Sequence, residues 1–506
     1  MSKKSILQGA AILTAANLIT RLMGFFNRVY MVDAIGVEGM GLYQLVMPIY
    51  LLSWSITSSG FSTAVSRITA AENAKHYVNR INKTVCTSVV ICIFISLIVS
   101  AAMFFGADII AADIIKEPRT AISIQILAFA VPFMAVGSCM RGYFYGLQKH
   151  IYPAISQVFE QAVRISCITV LAPMFINKGL EYACAAAVIG VLTGEALSFA
   201  LTAVCYKLTS KYSTIRKGDS ITFGKAALMI ISMALPLSGS RITASALSAA
   251  ENILIPQKLV LFGMSSTEAM EAFGNLTGMA LPLIQLPSSF LVAVSAALIP
   301  EISAGQAAGH NRHTAYVTSQ SLKLTIAAAI GFTAVFMLFP DKICMLVYGN
   351  RELGRLLIRL VVMCPFMYVH ITLAGILNGL GCHNFIFVSN IIASVINLIF
   401  IYFVMPIYGI DAFIIGMTVG MLITTVMGIH EIKKQIPSLV FYSKDIFIPL
   451  SCAVLSFSAI RFIYSLFDDS SIIPFICLFC IMYTVLLIFS GIISITELKE
   501  LIYKKK

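Results

Sequence analysis

Almost from its first residue the chain is a succession of apolar runs, most of them twenty or more residues long and parted by short polar loops. A bilayer offers about 30 Å of hydrocarbon and an α-helix rises about 1.5 Å per residue, so such a run spans a membrane once. In hydrocarbon the backbone must satisfy its own hydrogen bonds, and a long apolar run does so as a helix. The runs place helices at 6–31, 41–68, 84–106, 120–142, 153–176, 182–206, 223–249, 272–300, 315–339, 355–379, 385–405, 410–430, 446–466 and 472–495. The expected fold is therefore all-α and polytopic, with about fourteen transmembrane helices. Charge usage agrees: only 11% of the 506 residues are charged, against about 25% in soluble proteins. Met1-Ser-Lys-Lys leads straight into a long apolar segment, without the short core and cleavage site of a removable signal.

The formal charge of +12 invites a nucleic-acid partner, but its distribution argues against one. Basic residues gather in loops on one side of the expected membrane: Lys3 and Lys4, then Lys75, Arg80 and Lys83, then Lys149, then Lys207, Lys211, Arg216 and Lys217. Arg312, Lys433, Lys434 and Lys444 continue the series, which ends with Lys499 and Lys504 to Lys506. The alternate loops carry Asp33 and Glu38, the mixed Asp108 to Arg119 segment, Glu268 and Glu271, Asp411, and Asp468 with Asp469. Positive loops stay in the cytoplasm, so both termini are expected there. The twelve cysteines lie singly in apolar segments, except Cys477 and Cys480 in the last one, and read as small apolar side chains.

The two halves repeat. Val131 to Met134 (VPFM) answers Cys364 to Met367 (CPFM), Gly146 answers Gly379, His150 answers His383, and 172–175 (APMF) answers 405–408 (MPIY), all about 233 residues apart. Met47-Pro48 matches Leu281-Pro282, and Gly190 and Gly194 match Gly416 and Gly420. Six helices is an even number, so both repeats share one orientation, an arrangement that in secondary transporters places substrate between the halves. The expected organisation is an N-terminal lobe at 1–207, a basic cytoplasmic linker at 208–222, a C-terminal lobe at 223–430, and two further helices with a basic tail at 431–506.

Polar stripes sit on the first helix of each repeat. Thr14, Asn17, Arg21, Gly24 and Arg28 recur every three or four residues, as do Ser238, Arg241, Ser245, Ser248 and Asn252. An arginine inside a bilayer costs about 2.5–3.5 kcal/mol on insertion scales, so Arg21 and Arg241 mark a functional lining rather than a lipid-facing surface. Arg28 stands nearer the helix end, where snorkelling to head groups is an ordinary alternative. Guanidinium groups suit an anionic load, phosphate or carboxylate.

Other charges lie within the runs. Glu160 and Arg164 stand one turn apart and can pair. Glu195 has no partner nearby in sequence and is a candidate for carrying a coupling proton; Glu251 lies ten residues beyond Arg241. Arg67 and Glu301 occupy matching cytoplasmic helix ends and are candidates for a gate. Interior breaks at Pro48, Gly60, Pro132, Gly137, Pro236, Pro282, Pro287 and Pro365 supply bending points. No phosphate-binding loop, metal-binding helix or large cytoplasmic segment is present in the sequence, so neither an enzyme nor a cofactor is expected.

The stretches TRLMGFFNRV at 20–29, GFSTAVSRITAAENAK at 60–75, SRITASALSAAENILIP at 240–256 and MALPLIQLPSSFLVAVSAALIPEIS at 279–303 carry a family likeness. They resemble the polysaccharide-transporter branch of the multidrug/oligosaccharidyl-lipid/polysaccharide (MOP) flippase superfamily, over nearly the whole chain. The resemblance implies two six-helix lobes plus two helices, and a flippase of the bacterial inner membrane for an undecaprenyl-linked glycan precursor, namely lipid II for spore-cortex peptidoglycan. It also implies a cationic lining. Arg21 matches the first arginine of the related lipid II flippases, while their second falls at Asn27, with Arg28 one place along. Those flippases carry an arginine shortly before a Leu-Pro in helix eight, where this chain has Pro282 without one.

The expected partners are then a lipid-linked oligosaccharide, membrane lipids and a coupling ion, H+ or Na+. A cation-coupled multidrug exporter is the alternative within the superfamily, but its load would want acidic lining. A scaffold for spore-wall synthesis would need no paired arginines, and a membrane glycan polymerase would need convergent loop carboxylates.

Overall fold

A computed structural model of the chain describes residues 3–211, 221–439, 442–467 and 471–492. Arg216, Lys217, Asp468, Asp469, Lys499 and Lys504 to Lys506, and most of the expected 208–222 linker, lie outside the described residues. Among those described, every regular element is a helix. Among the described residues, twelve helices are long and apolar enough to cross a membrane. The difference from the expected fourteen arises at two places. The first candidate span covers 63 residues, Ile12–Ala74, roughly three times the length a bilayer needs. The last apolar helix, Ile473–Phe489, has 17 residues.

The long first span corrects the expected helices at 6–31 and 41–68. Helix α1 runs Lys3–Thr57 and is broken not by a loop but at one residue, Gly36, with φ of 73° and ψ of 174°. Glycine takes that backbone without strain. The next break falls inside the expected second helix, at Ser58, after which α2 runs Ser59–Ala74. The expected helix at 272–300 is likewise divided. It comprises α8 (Ser266–Phe273), a π-helical turn Gly274–Ala280, a short Leu281–Gln285 helix and Ser288–Ala307, separated at Leu286 and Pro287.

The chain forms two compact units, 1–279 and 280–506. In the first, α3 (Val78–Phe105), α4 (Ala121–Gly146), α5 (Ile151–Phe175) and α6 (Leu180–Lys211) pack with α1 and α2, and α7 (Phe223–Leu261) packs on α1, α2 and α3. The division therefore falls later than the 208–222 linker, and it places Arg241 in the same unit as Arg21. Close approach explains the packing of α7: a methyl on Gly60 would overlap Ser238 and the Ala234 carbonyl. Small side chains let helices touch in a membrane, where lipid is as apolar as leucine. The run Ala183 to Val188 in α6 is buried throughout for the same reason. At one end of this unit Arg119 binds Glu117 at 2.6 Å and Glu38 at 2.7 Å, tying α4 to the segment just after Gly36.

In the second unit, Ser288–Ala307 packs on Cys364–Gly379, and His383–Ile399 packs on Ile410–Gln435. Lys444–Ser465 joins Asn311–Leu338, where Tyr483 donates to the Ala327 carbonyl at 2.8 Å.

The sequence repeat recurs as a repeat of contacts. A Cβ on Gly142 would stand 2.5 Å from the Ser62 carbonyl, and one on Gly375 2.7 Å from Ser295. Gly146 abuts Ser66 and Thr69; Gly379 abuts Ile299 and Ile302. Gly194 lies on the Glu160 carbonyl and Gly420 on that of Ala393, 3.1 and 3.2 Å from a Cβ. Each packed-against residue in the second unit sits 233 positions beyond its partner in the first. Valine at Gly142 or at Gly375 is therefore expected to destabilise the protein to a similar extent, by about 1–3 kcal/mol through overpacking. Thermal unfolding in detergent measures this, and a shift in only one variant would argue against equivalent contacts.

Candidate functional site

Arg241 lies on α7 where it faces the break between α1 and α2. Its Nη1 donates to the Ser59 carbonyl at 3.0 Å, and its guanidinium stands 5.9 Å from the ring centre of Trp54, the only tryptophan in the chain. The break makes the contact available, because Ser58 and Ser59 leave the helix line at Thr57. Both partners of Arg241 are neutral, and among the described residues no carboxylate pairs with it. The side chain is exposed, so its charge is held in place without being cancelled.

Other positions of this stripe are occupied with packing. Ser245 shares a 2.6 Å hydrogen bond with Ser55, Ser238 is buried against α2, and Asn252 donates to the Ser248 carbonyl of its own helix at 2.8 Å. On α1, Asn17 and Arg21 are exposed and Arg28 is half-buried. Asn27 is buried, with its amide directed at the Met31 sulfur at 3.7 Å, and so stands off the exposed stripe.

A second polar group is buried where α1, α5 and α6 meet. Glu160 and Arg164 form an ion pair at 3.0 Å, with side chains only 12% and 13% exposed. Tyr50 donates to Glu195 Oε1 at 2.7 Å, while the buried Oε2 has no partner among the described residues. Gly190 and Gly194 open the space: a Cβ on either would come within 3.1 Å of the Arg164 or Glu160 carbonyl.

The remaining candidates are scattered. Glu251 is half-buried on α7, Arg67 is exposed midway along α2 rather than at a helix end, and Glu301 faces His313 at 3.6 Å. Arg359 pairs with Asp411 at 3.2 Å, outside both groups. A groove of about 580 Å³ on α5 and α6, lined by residues such as Phe159, Val163, Cys167, Val170 and Ile189, contains no charged side chain and offers nothing to a charged head group.

Sequence reasoning missed Tyr50, Trp54 and the Ser59 carbonyl. Tyr50 and Glu195 are 145 residues apart, with no periodicity linking them. Trp54 did carry a signal, its uniqueness in a chain with 33 phenylalanines and 19 tyrosines.

Residues 6–306 match the family described as Polysaccharide biosynthesis protein, and residues 276–403 match the MatE family. Among individual relatives, the chain is 31% identical over 445 residues to Stage V sporulation protein B of Bacillus subtilis (strain 168), a match covering 86% of this chain and 85% of the relative. Among solved structures it resembles Lipid II flippase MurJ in an inward closed conformation, with a TM-score of 0.71 at 16% identity, covering 94% of this chain and 98% of the other. An inward-facing multidrug resistance MATE family transporter of the MOP superfamily gives 0.64 at 15% identity, covering 85% and 98%. At these identities the structural likeness establishes the fold.

Proposed function

The chain belongs to the polysaccharide biosynthesis protein family, multi-pass flippases and transporters of the MOP superfamily, and from that premise we propose that it flips a polyprenyl-diphosphate-linked saccharide across a bacterial inner membrane. The load we assign is lipid II, used for spore-cortex peptidoglycan, and the mechanism is alternating access of the 1–207 and 223–430 repeats. The observation that carries this reading is Arg241, an exposed guanidinium within an apolar span that is held by a carbonyl and an aromatic ring. Such an arginine is costly unless it serves something anionic, and its fork of donors fits a diphosphate.

Arg21, and Arg28 further along the same helix, extend the basic lining, while the prenyl tail stays in lipid. A cationic drug would find the opposite polarity here. Glu195 takes the coupling ion, H+ or Na+; a buried carboxylate with one unpartnered oxygen has room for either charge. Each negative charge carried outward across an inside-negative membrane is driven by about 2.3 kcal/mol per 100 mV. Both termini are placed in the cytoplasm by the basic loops.

The test is head-group translocation in proteoliposomes, with undecaprenyl-linked disaccharide and a cationic dye offered separately under an imposed pH or sodium gradient. Flipping of the glycolipid without dye transport is expected. Dye transport alone would assign the chain to drug export, and transport of neither would end the flippase reading.

A further inference from the structure

The environment of Arg241 contains a feature that diphosphate recognition leaves unused. Trp54 is half-buried, and its indole N–H is neither buried nor hydrogen-bonded among the described residues. It stands in a chain where every other large aromatic side chain is phenylalanine or tyrosine. A buried packing role would be met by phenylalanine, which needs no partner for a ring N–H. An indole that leaves its N–H available presents a broad apolar face and a donor side by side. The guanidinium of Arg241 lies 5.9 Å from the ring centre, and the Ser55 and Ser245 hydroxyls pair with each other one residue along α1 and one turn along α7. Cationic fork, aromatic face and hydroxyl edge thus lie together within the first compact unit.

We propose that Trp54 and Arg241 form a two-part head-group subsite, in which Arg241 holds the phosphate adjoining the sugar and the indole of Trp54 stacks on that first sugar ring. The inference rests on the flippase reading and adds a source of specificity to it. A pyranose has one face lined by C–H groups, which seats on an aromatic ring, and an edge of hydroxyls, which an indole N–H can engage. A guanidinium alone does not distinguish a glycosylated diphosphate from a bare one, since both present the same phosphate oxygens. The sugar linked through its anomeric oxygen to a phosphate on Arg241 is carried beside the indole, so the stack forms only when the load is glycosylated. Trp54 selects loaded carrier over spent carrier.

Because Trp54 is the single tryptophan, the indole fluorescence of the full-length protein in detergent micelles reports on this site alone. Undecaprenyl diphosphate and the same lipid bearing a disaccharide are titrated separately, with radiolabelled lipid used for the variants. Wild type is expected to bind the glycosylated lipid about tenfold more tightly, with the larger change in fluorescence. Trp54→Leu, which keeps apolar bulk, should remove that preference, while weakening the bare lipid less than about threefold. Trp54→Phe should restore part of the preference, and this second variant separates stacking from a general packing defect. Equal weakening of both lipids in Trp54→Leu would show that the ring only steadies Arg241, and would overturn the subsite while leaving the flippase reading intact. A preference for the glycosylated lipid that survives in Trp54→Leu would overturn it too. Failure of wild type to bind either lipid would remove the flippase reading itself, and the subsite with it.

Discussion

Replacing Arg241 with alanine is expected to lower translocation of a diphosphate-linked saccharide by roughly 10- to 150-fold. A hydrogen bond from a charged donor contributes about 1.5–3 kcal/mol, and about 1.4 kcal/mol corresponds to a tenfold change. The residue is exposed and, among the described residues, bonded only to the Ser59 carbonyl and the face of Trp54, so its removal leaves no buried charge behind. Fold stability should therefore change little, which separates this variant from a packing mutant. Arg241→Lys should retain an intermediate rate, because an ammonium supplies charge without the planar fork. Vesicle assays of head-group flipping, paired with thermal unfolding of the same preparations, measure both quantities. Wild-type flipping by the alanine variant would remove Arg241 from the transport path.

The second large effect is one of stability. Arg164→Ala leaves Glu160 enclosed among α1, α5 and α6 without its cation, and such uncompensated burial costs about 3–5 kcal/mol. The double variant Glu160→Ala with Arg164→Asn should fare better than Arg164→Ala alone. It installs the side chains that the second unit carries at the equivalent positions, Ala393 and Asn397, where Gly420 and Gly416 make the matching close approaches. Guanidinium or thermal denaturation in detergent tests the ranking. A double variant less stable than the single one would show that the pair is integral to packing in the first unit.

What the sequence disclosed depended on the range of the interaction. Glu160 and Arg164 stand four residues apart on one helix, and periodicity alone brought them together. The repeated glycines were visible because close helix contact leaves no choice of residue at Gly146, Gly194, Gly379 and Gly420, whereas the matching pair Gly142 and Gly375 emerged only from the packing. The polar stripe on α7 was visible as a period, but its division of labour was not. Ser238 and Ser245 turn into packing with α2 and α1 and leave Arg241 exposed, a result set by where neighbouring helices lie. Gly36 and Ser58 were misjudged for a related reason. A single residue suffices to break a helix, so the segment at 32–40 marked no loop, and the run expected as one helix at 41–68 contained a break at Ser58. Contacts joining distant segments, Tyr50 with Glu195 and Trp54 with Arg241, had no local periodicity to announce them.

The glycine seams suggest how such a molecule could have arisen. Main-chain contacts at Gly142, Gly194, Gly375 and Gly420 are the same in both units, whereas Glu160, Arg164 and Glu195 have Ala393, Asn397 and Met421 as counterparts. A duplicated ancestral gene would pass on the backbone seams intact, since any added side chain damages them, and would leave the enclosed charges free to drift. The two descendants have accordingly kept one architecture and divided their chemical duties, the first copy retaining the enclosed Glu160, Arg164 and Glu195 and the second carrying the exposed Arg241.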